Sequence, residues 1–216
     1  GKSHGFVMFV DWSSSMAPNL HATIKQLLSL VMFCKQIQVP FDVYLFKNGV
    51  NYHGVKLWQD QLGKDCLQLD NGFKLRNVLS SRMSTSELNE AFSYMWLSGS
   101  GWSGVDRLHC TPLNSSILAA EGVVNQFRDR TKVEVVNVVF LTDGDSDPSY
   151  VSGTGYHYDG KLIVHDEKTK ERYVCGNDYN SMTHTLLRVL KGRTGCNLVG
   201  FFLIPERGGY TWGGYR

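Results

Sequence analysis

Gly5-Phe6-Val7-Met8-Phe9-Val10-Asp11-Trp12-Ser13-Ser14-Ser15-Met16 is the stretch on which the fold turns. Its first half is almost wholly apolar, the pattern of a strand covered on both faces rather than one with a wet side. The run then breaks into an acid and three hydroxyls. A strand of this kind needs helices above and below it, so the rest of the chain should alternate strand with helix.

It does. Residues 41–46 (after Pro40), 133–141 and 198–204 repeat the apolar strand pattern, while 74–79 is half-polar and suits a sheet edge. Between them, Leu20, Ile24, Leu27, Leu28 and Val31 fall on one face of a helix. So do Leu88, Ala91, Phe92, Met95 and Trp96, with Ser84, Thr85 and Ser86 available as N-caps. A third stripe is Leu113, Ile117, Ala120, Val124 and Phe127; a fourth, Met182, Leu186, Val189 and Leu190, is expected to end at Gly192 as a C-terminal cap. The predicted architecture is α/β: a doubly wound, mostly parallel sheet with helices on both faces. Two segments break the rhythm. Residues 98–104, with Trp102 among glycines and serines, read as a loop, and 153–176 as an inserted β-hairpin or small meander. One domain is expected over 1–207, followed by a Gly/aromatic tail at 208–216.

The charge balance narrows the function. Lys and Arg number 22 against 20 Asp and Glu, a net charge of +2 that gives no electrostatic case for a dedicated nucleic-acid or membrane-surface binder. With 42% hydrophobic and 19% charged residues, disorder is excluded for most of the chain. Five widely spaced cysteines, an odd number without a C-x-x-C pair, read as reduced thiols in a cytoplasmic, reducing setting. No apolar run approaches the ~18 residues of a membrane span. The opening Gly-Lys-Ser-His, directly before a strand, reads as a domain cut from a longer chain or as a cloning remnant.

In a doubly wound sheet the binding crevice lies just beyond the carboxyl ends of the strands. Three polar clusters fall there: Asp11 to Met16, His109-Cys110-Thr111-Pro112-Leu113-Asn114, and Thr142-Asp143-Gly144-Asp145-Ser146-Asp147. A hard divalent cation such as Mg²⁺ takes about six oxygens at ~2.0–2.1 Å and keeps some of its waters. The hydroxyls of Ser13, Ser15 and Thr111, with the carboxylates of Asp11 and Asp143, can supply oxygens from three loops.

D-x-S-x-S at Asp11, Ser13 and Ser15, then Thr111, then Asp143 in Thr-Asp-Gly, resembles the metal-ion-dependent adhesion site of von Willebrand factor A domains. The order of strands and helices is similar over nearly the whole chain. The resemblance implies that Ser13, Ser15 and Thr111 touch Mg²⁺ (or Mn²⁺ or Ca²⁺) directly, while Asp11 and Asp143 act through water. With few anionic ligands touching it, the cation stays electrophilic, and an Asp or Glu carboxylate of a partner protein can complete its shell. That implies binding, not catalysis. Trp12, Trp102, His109 and Asp145 are expected on the partner-binding rim. Cys110 stands where the family usually has glycine, and the family's sixth strand and last helix have no obvious counterpart. Within the family, Thr111-Pro112-Leu113 running into a helix looks most like the cobalt- and magnesium-chelatase accessory subunits, which large tailed phages also carry. That branch implies a MoxR-type AAA+ ATPase partner in the cytoplasm of a host or phage-infected cell.

Rival readings fare less well. Asp and Ser also cap ordinary strand-to-helix turns, but Thr111 and Asp143 add to the pattern. An EF-hand needs Gly at Pro148 and Glu at Thr154, so Asp145 and Asp147 read as solvated loop acids. A phosphoester hydrolase using Asp11 as nucleophile needs a second carboxylate where Ser13 stands. Residues 155–161 match a phosphate loop as far as Lys161, but Leu162 follows and no helix does. The seven histidines form no zinc pattern. An RNA-associated module is the remaining alternative, disfavoured by the near-neutral charge.

Overall fold

The computed structural model describes residues 1–49, 66–70, 72–98, 108–147, 149–151, 155–156, 162–175 and 179–203. In chain order these form β1 (His4–Asp11), α1 (Leu20–Gln36), β2 (Phe41–Asn48), β3 (Leu67–Gln68), β4 (Phe73–Ser80), α2 (Thr85–Ser98) and α3 (Leu113–Thr131). Then follow β5 (Val135–Thr142), β6 (Tyr150–Val151), β7 (Gly155–Tyr156), β8 (Leu162–His165), β9 (Arg172–Cys175), α4 (Tyr179–Thr194) and β10 (Asn197–Phe202).

The main sheet has the order β10-β5-β1-β2-β4. β1 runs parallel to both β2 and β5, and β10 parallel to β5. The half-polar strand β4 is antiparallel to β2 and forms the edge, as its composition suggests. Successive strands therefore build outward from β1 in both directions, and the crevice between the ends of β1 and β5 is a topological switch point.

Alternation along β1 feeds two cores. Met8 and Val10 pack under α1 and α2 with Val43 and Leu45, whereas Val7 and Phe9 pack under α3 and α4 with Val138 and Phe140. α3 comes very close to β1 at Gly5, where a Cβ would sit 2.6 Å from the Phe127 ring, so only glycine fits. α2 opens with a reciprocal cap: the Ser84 N–H donates to Glu87 Oε2 at 2.7 Å and the Glu87 N–H to Ser84 Oγ at 3.3 Å. α4 does not stop at Gly192. It continues to Thr194 and is capped by Gly195, which has φ +62° and donates its N–H to the Lys191 carbonyl.

The insertion is also narrower than expected. β8 and β9 form an antiparallel hairpin, but Tyr156 lies in β7, which pairs with β6 in a small sheet completed by β3. Arg193 of α4 pins the hairpin by bonding Asp166 and Glu121 at once, and Lys168 also reaches Glu121. None of the five cysteines is in a disulfide. Among the described residues no helix is long and apolar enough to cross a membrane. The glycine-rich 99–104 segment, Ile204 and the 208–216 tail lie outside the described residues, as does most of 153–161.

Candidate functional site

The three polar clusters converge at the switch point. Trp12 extends the strand pairing past β1, donating its N–H to the Phe46 carbonyl at 2.9 Å. A strap at residues 108–110 then crosses the ends of β1 and β2: Ser13 bridges His109, Asn48 bridges Cys110, and Ser14 donates its N–H to the His109 carbonyl at 2.7 Å. Thr111 follows two residues after that bridge and is buried beside the start of α3. Its carbonyl accepts the N–H groups of Leu113 and Asp147, both at 2.9 Å, so the threonine loop and the loop after β5 hold each other.

Three of the five expected ligand residues, Ser13, Ser15 and Asp143, form one chain of contacts, and Asp11 is tied to the same loop through Thr142. Ser13 Oγ lies 2.9 Å from Ser15 Oγ, and Ser15 Oγ donates to Asp143 Oδ1 at 2.9 Å. Asp11 Oδ2 accepts the Thr142 hydroxyl at 2.7 Å, and that hydroxyl accepts the Gly144 N–H at 3.3 Å. Asp11 is 0% exposed. Its other oxygen, Oδ1, is buried without a hydrogen-bond partner among the described residues.

An acid buried in this way resists ionisation. Burial raises the pKa of Asp11 to about 7, against the hydroxyls of Thr142 and Ser13 and with a further push from the Asp143 charge. Asp143 is also raised by burial, partly offset by the Ser15 hydroxyl and its own backbone N–H. Two carboxylates with no cation beside them among the described residues, and two hydroxyls between them, form an oxygen donor set suited to a hard cation. The unpaired Oδ1 is what such a cation, or a water bound to it, would satisfy. Among the described residues no group of three or more His, Cys, Asp or Glu side chains is placed to hold a metal, so any site here depends on hydroxyls.

The expected rim divides. Asp145 is exposed and His109 half-buried beside Ser13. Trp12 is a correction: it is 0% exposed, packed in the α1/α2 core with Met8 and Val10, and cannot meet a partner. Trp102 lies outside the described residues. Asp147 is corrected in part, since it is half-buried rather than fully solvated. Its Oδ2 is buried without a partner among the described residues, and burial raises its pKa.

The first turn of α3 also contributes what the sequence reading passed over. Asn114, Ser115 and Ser116 are consecutive polar residues, all buried. The Asn114 N–H donates to Ser146 Oγ at 2.8 Å, its amide donates to Ser149 Oγ, and its carbonyl oxygen accepts the Thr183 hydroxyl. Ser115 Oγ accepts the Asp70 N–H at 3.0 Å. One helix start thus gathers two loops and α4 around the site. The helix stripe gave no signal for them: it calls for burial at Leu113 and Ile117, and these three fall between those positions.

Fold and site together define a mixed α/β domain with a mostly parallel central sheet and a hydroxyl-and-carboxylate cluster at its switch point. No protein-family model and no curated protein matches the chain. Among solved structures it is similar to part of the pilus adhesin SpaC from Lactobacillus rhamnosus GG in its open conformation, with 13% identity and a TM-score of 0.54. That overlay covers 93% of this chain and 24% of SpaC, so the chain spans about a quarter of the adhesin's length. A looser overlay, TM-score 0.39 at 10% identity, links it to the vWF domain of the type V pili tip protein Mfa5 from Porphyromonas gingivalis, over 77% of this chain and 45% of that one. The likeness to SpaC is one of fold.

Proposed function

We propose that this is a protein-binding domain of the von Willebrand factor A type, which captures a partner's Asp or Glu carboxylate through a divalent cation, Mg²⁺ first. The observation that carries the reading is Asp11 Oδ1: a buried carboxylate oxygen at the switch point with no hydrogen-bond partner among the described residues, on a side chain joined through Thr142 to the loop that bears Asp143. Ser13, Ser15 and Thr111 would offer hydroxyl oxygens to the cation, with Asp11 and Asp143 behind them. Bound there, the cation supplies a positive charge that neutral hydroxyls leave largely uncompensated, and so an affinity for a carboxylate from outside. The chain's own contribution is orientation. The strap at 108–110 and the Asp147–Thr111 bond fix the three loops relative to one another. Five cysteines, none in a disulfide, support a cytoplasmic setting. A chelatase-type role with an AAA+ ATPase rests on the Thr111-Pro112-Leu113 resemblance alone. SpaC is described as a pilus adhesin, which supports partner binding rather than turnover.

Titration with Mg²⁺ by calorimetry, paired with thermal unfolding in EDTA and in Mg²⁺, tests the reading. We expect saturable binding and a rise in Tm in the parent chain. Both should vanish in Ser13→Ala and Thr111→Ala, with the far-UV circular dichroism unchanged. Identical melting of the parent chain with and without millimolar Mg²⁺ would sink the proposal.

A further inference from the structure

A second cavity shares a wall with the loop after β5. It is a groove of about 490 Å³ between α3, α4 and β10. Ile117 and Phe140 form its apolar floor, with Leu187 of α4 and Phe202 of β10 at the sides. Thr142, Gly144 and Asp145 form the rim nearest the candidate site, immediately around Asp143. The volume suits one or two bulky side chains and lies in the range of ordinary binding pockets.

Two features mark this groove as built to receive something. Gly200 sits within β10, opposite Phe140, and among the described residues nothing lies within 4 Å of the position its Cβ would take. A strand glycine with no crowding neighbour lowers strand stability and often marks a place where something else approaches. Beside it, Phe201 and Phe202 are 53% and 60% exposed, an apolar lip where a soluble edge would normally carry charge. The charge pattern then restricts the occupant. The described lining contains no Lys or Arg, and Asp145 stands at the rim. A second carboxylate is repelled there, whereas an apolar side chain meets matching walls.

We infer that the groove takes a leucine- or phenylalanine-sized side chain next to the carboxylate that the cation captures, so that the partner's motif is a single acid flanked by a bulky apolar residue. This rests on the carboxylate-capture reading. The acid and its neighbour are read separately: the charge by the loops of β1 and β5, the bulk by α4 and β10. Gly200 and Phe202 are then specificity residues rather than metal ligands.

The test uses the 216-residue chain and two fluorescent peptides of Gly and Ser around one Asp, with Leu on both sides of it in one and Gly in the other. In Mg²⁺ the Leu peptide should bind about tenfold tighter or more, the effect of burying one leucine. Gly200→Leu, which fills open space, should erase that preference and leave Mg²⁺ affinity unchanged, which also shows that the variant is folded. Phe202→Ser, at an exposed position, should weaken the preference by several fold. Equal binding of the two peptides in Mg²⁺, or a preference that survives Gly200→Leu, overturns the groove and leaves the cation reading standing. Mg²⁺ binding with neither peptide bound at millimolar concentration also overturns the groove. No Mg²⁺ binding by the parent chain overturns both.

Discussion

Asp166 and Asp11 are both hidden from solvent, at 1% and 0% exposure, yet among the described residues only Asp166 has a cation beside it. Arg193 bonds Asp166 through two of its nitrogens, and with the Thr169 hydroxyl and the Lys168 N–H it holds the carboxyl well below the usual carboxylate range in spite of burial. Asp11 has hydroxyls and a neighbouring acid instead, and its pKa moves the other way, to about 7. The first arrangement is what a protein does with a buried acid it uses for structure: every oxygen is answered and a hairpin is fixed to α4. The second leaves an answer open. A buried carboxylate costs stability unless something pairs with it, and among the described residues nothing pairs with Asp11 Oδ1.

The contrast is easiest to break at Arg193. Arg193→Ala strands Asp166 and Glu121 without their shared cation, and we expect a loss of about 3 kcal/mol in urea unfolding. The Mg²⁺ response of the parent chain should persist, because the network lies in the hairpin and α4 rather than in the three loops. A loss under 1 kcal/mol would mean that Asp166 is not the well-answered acid its geometry indicates.

Asp11→Asn should do the reverse. Asparagine keeps an acceptor for the Thr142 hydroxyl while removing the buried charge. In EDTA at pH 8 the variant should be more stable than the parent by about 2 kcal/mol, and it should have lost any response to Mg²⁺. A domain that becomes sturdier as it loses its ligand is the sign of a site held under electrostatic tension. Destabilisation in EDTA would show that Asp11 is a structural acid like Asp166.

This difference was only half legible in the chain. The apolar run Gly5–Val10 announced β1, and D-x-S-x-S with Thr-Asp-Gly announced which loops would meet, because strand ends in a doubly wound sheet must converge. Trp12 was misread, although period two could have placed it: it shares parity with Met8 and Val10, and all three enter the α1/α2 core. Gly192 follows the last apolar position of the stripe, but the left-handed φ that a cap requires occurs at Gly195. The Glu121–Arg193–Asp166 cluster had no local signal at all. Its members are 27 and 72 residues apart in the chain and meet only because the β8–β9 hairpin and α3 both pack on α4.

The two acids also set opposite pH slopes. For Asp166 the folded pKa lies below the unfolded one, so its stabilisation is present above about pH 4 and is lost as the pH falls further. For Asp11 the folded pKa lies above, so its contribution is present below about pH 4 and is lost as the pH rises towards 7. In EDTA, urea unfolding should therefore show a stability maximum on the acid side of neutrality. Asp11→Asn should flatten the limb from pH 5 to 8, by about 1 to 2 kcal/mol, and leave the acid limb alone. An unchanged neutral limb would place the folded pKa of Asp11 in the ordinary range.

The smallest effect comes from within the well-answered cluster itself. Lys168 reaches Glu121 at 2.5 Å, as close as Arg193 comes to Asp166, but 65% of its side chain is exposed against 25% for Arg193. Distance alone would rank the two pairs as equals. Solvent does not, because an exposed ammonium is screened by water and salt and must give up side-chain freedom to hold one position. Lys168→Ala should therefore change stability by no more than about 0.5 kcal/mol, an effect that shrinks further in 0.5 M salt. A loss comparable to that of Arg193→Ala would mean that proximity to a charge, rather than burial with it, decides how this protein treats its acids, and the contrast between Asp166 and Asp11 would then lose its cause.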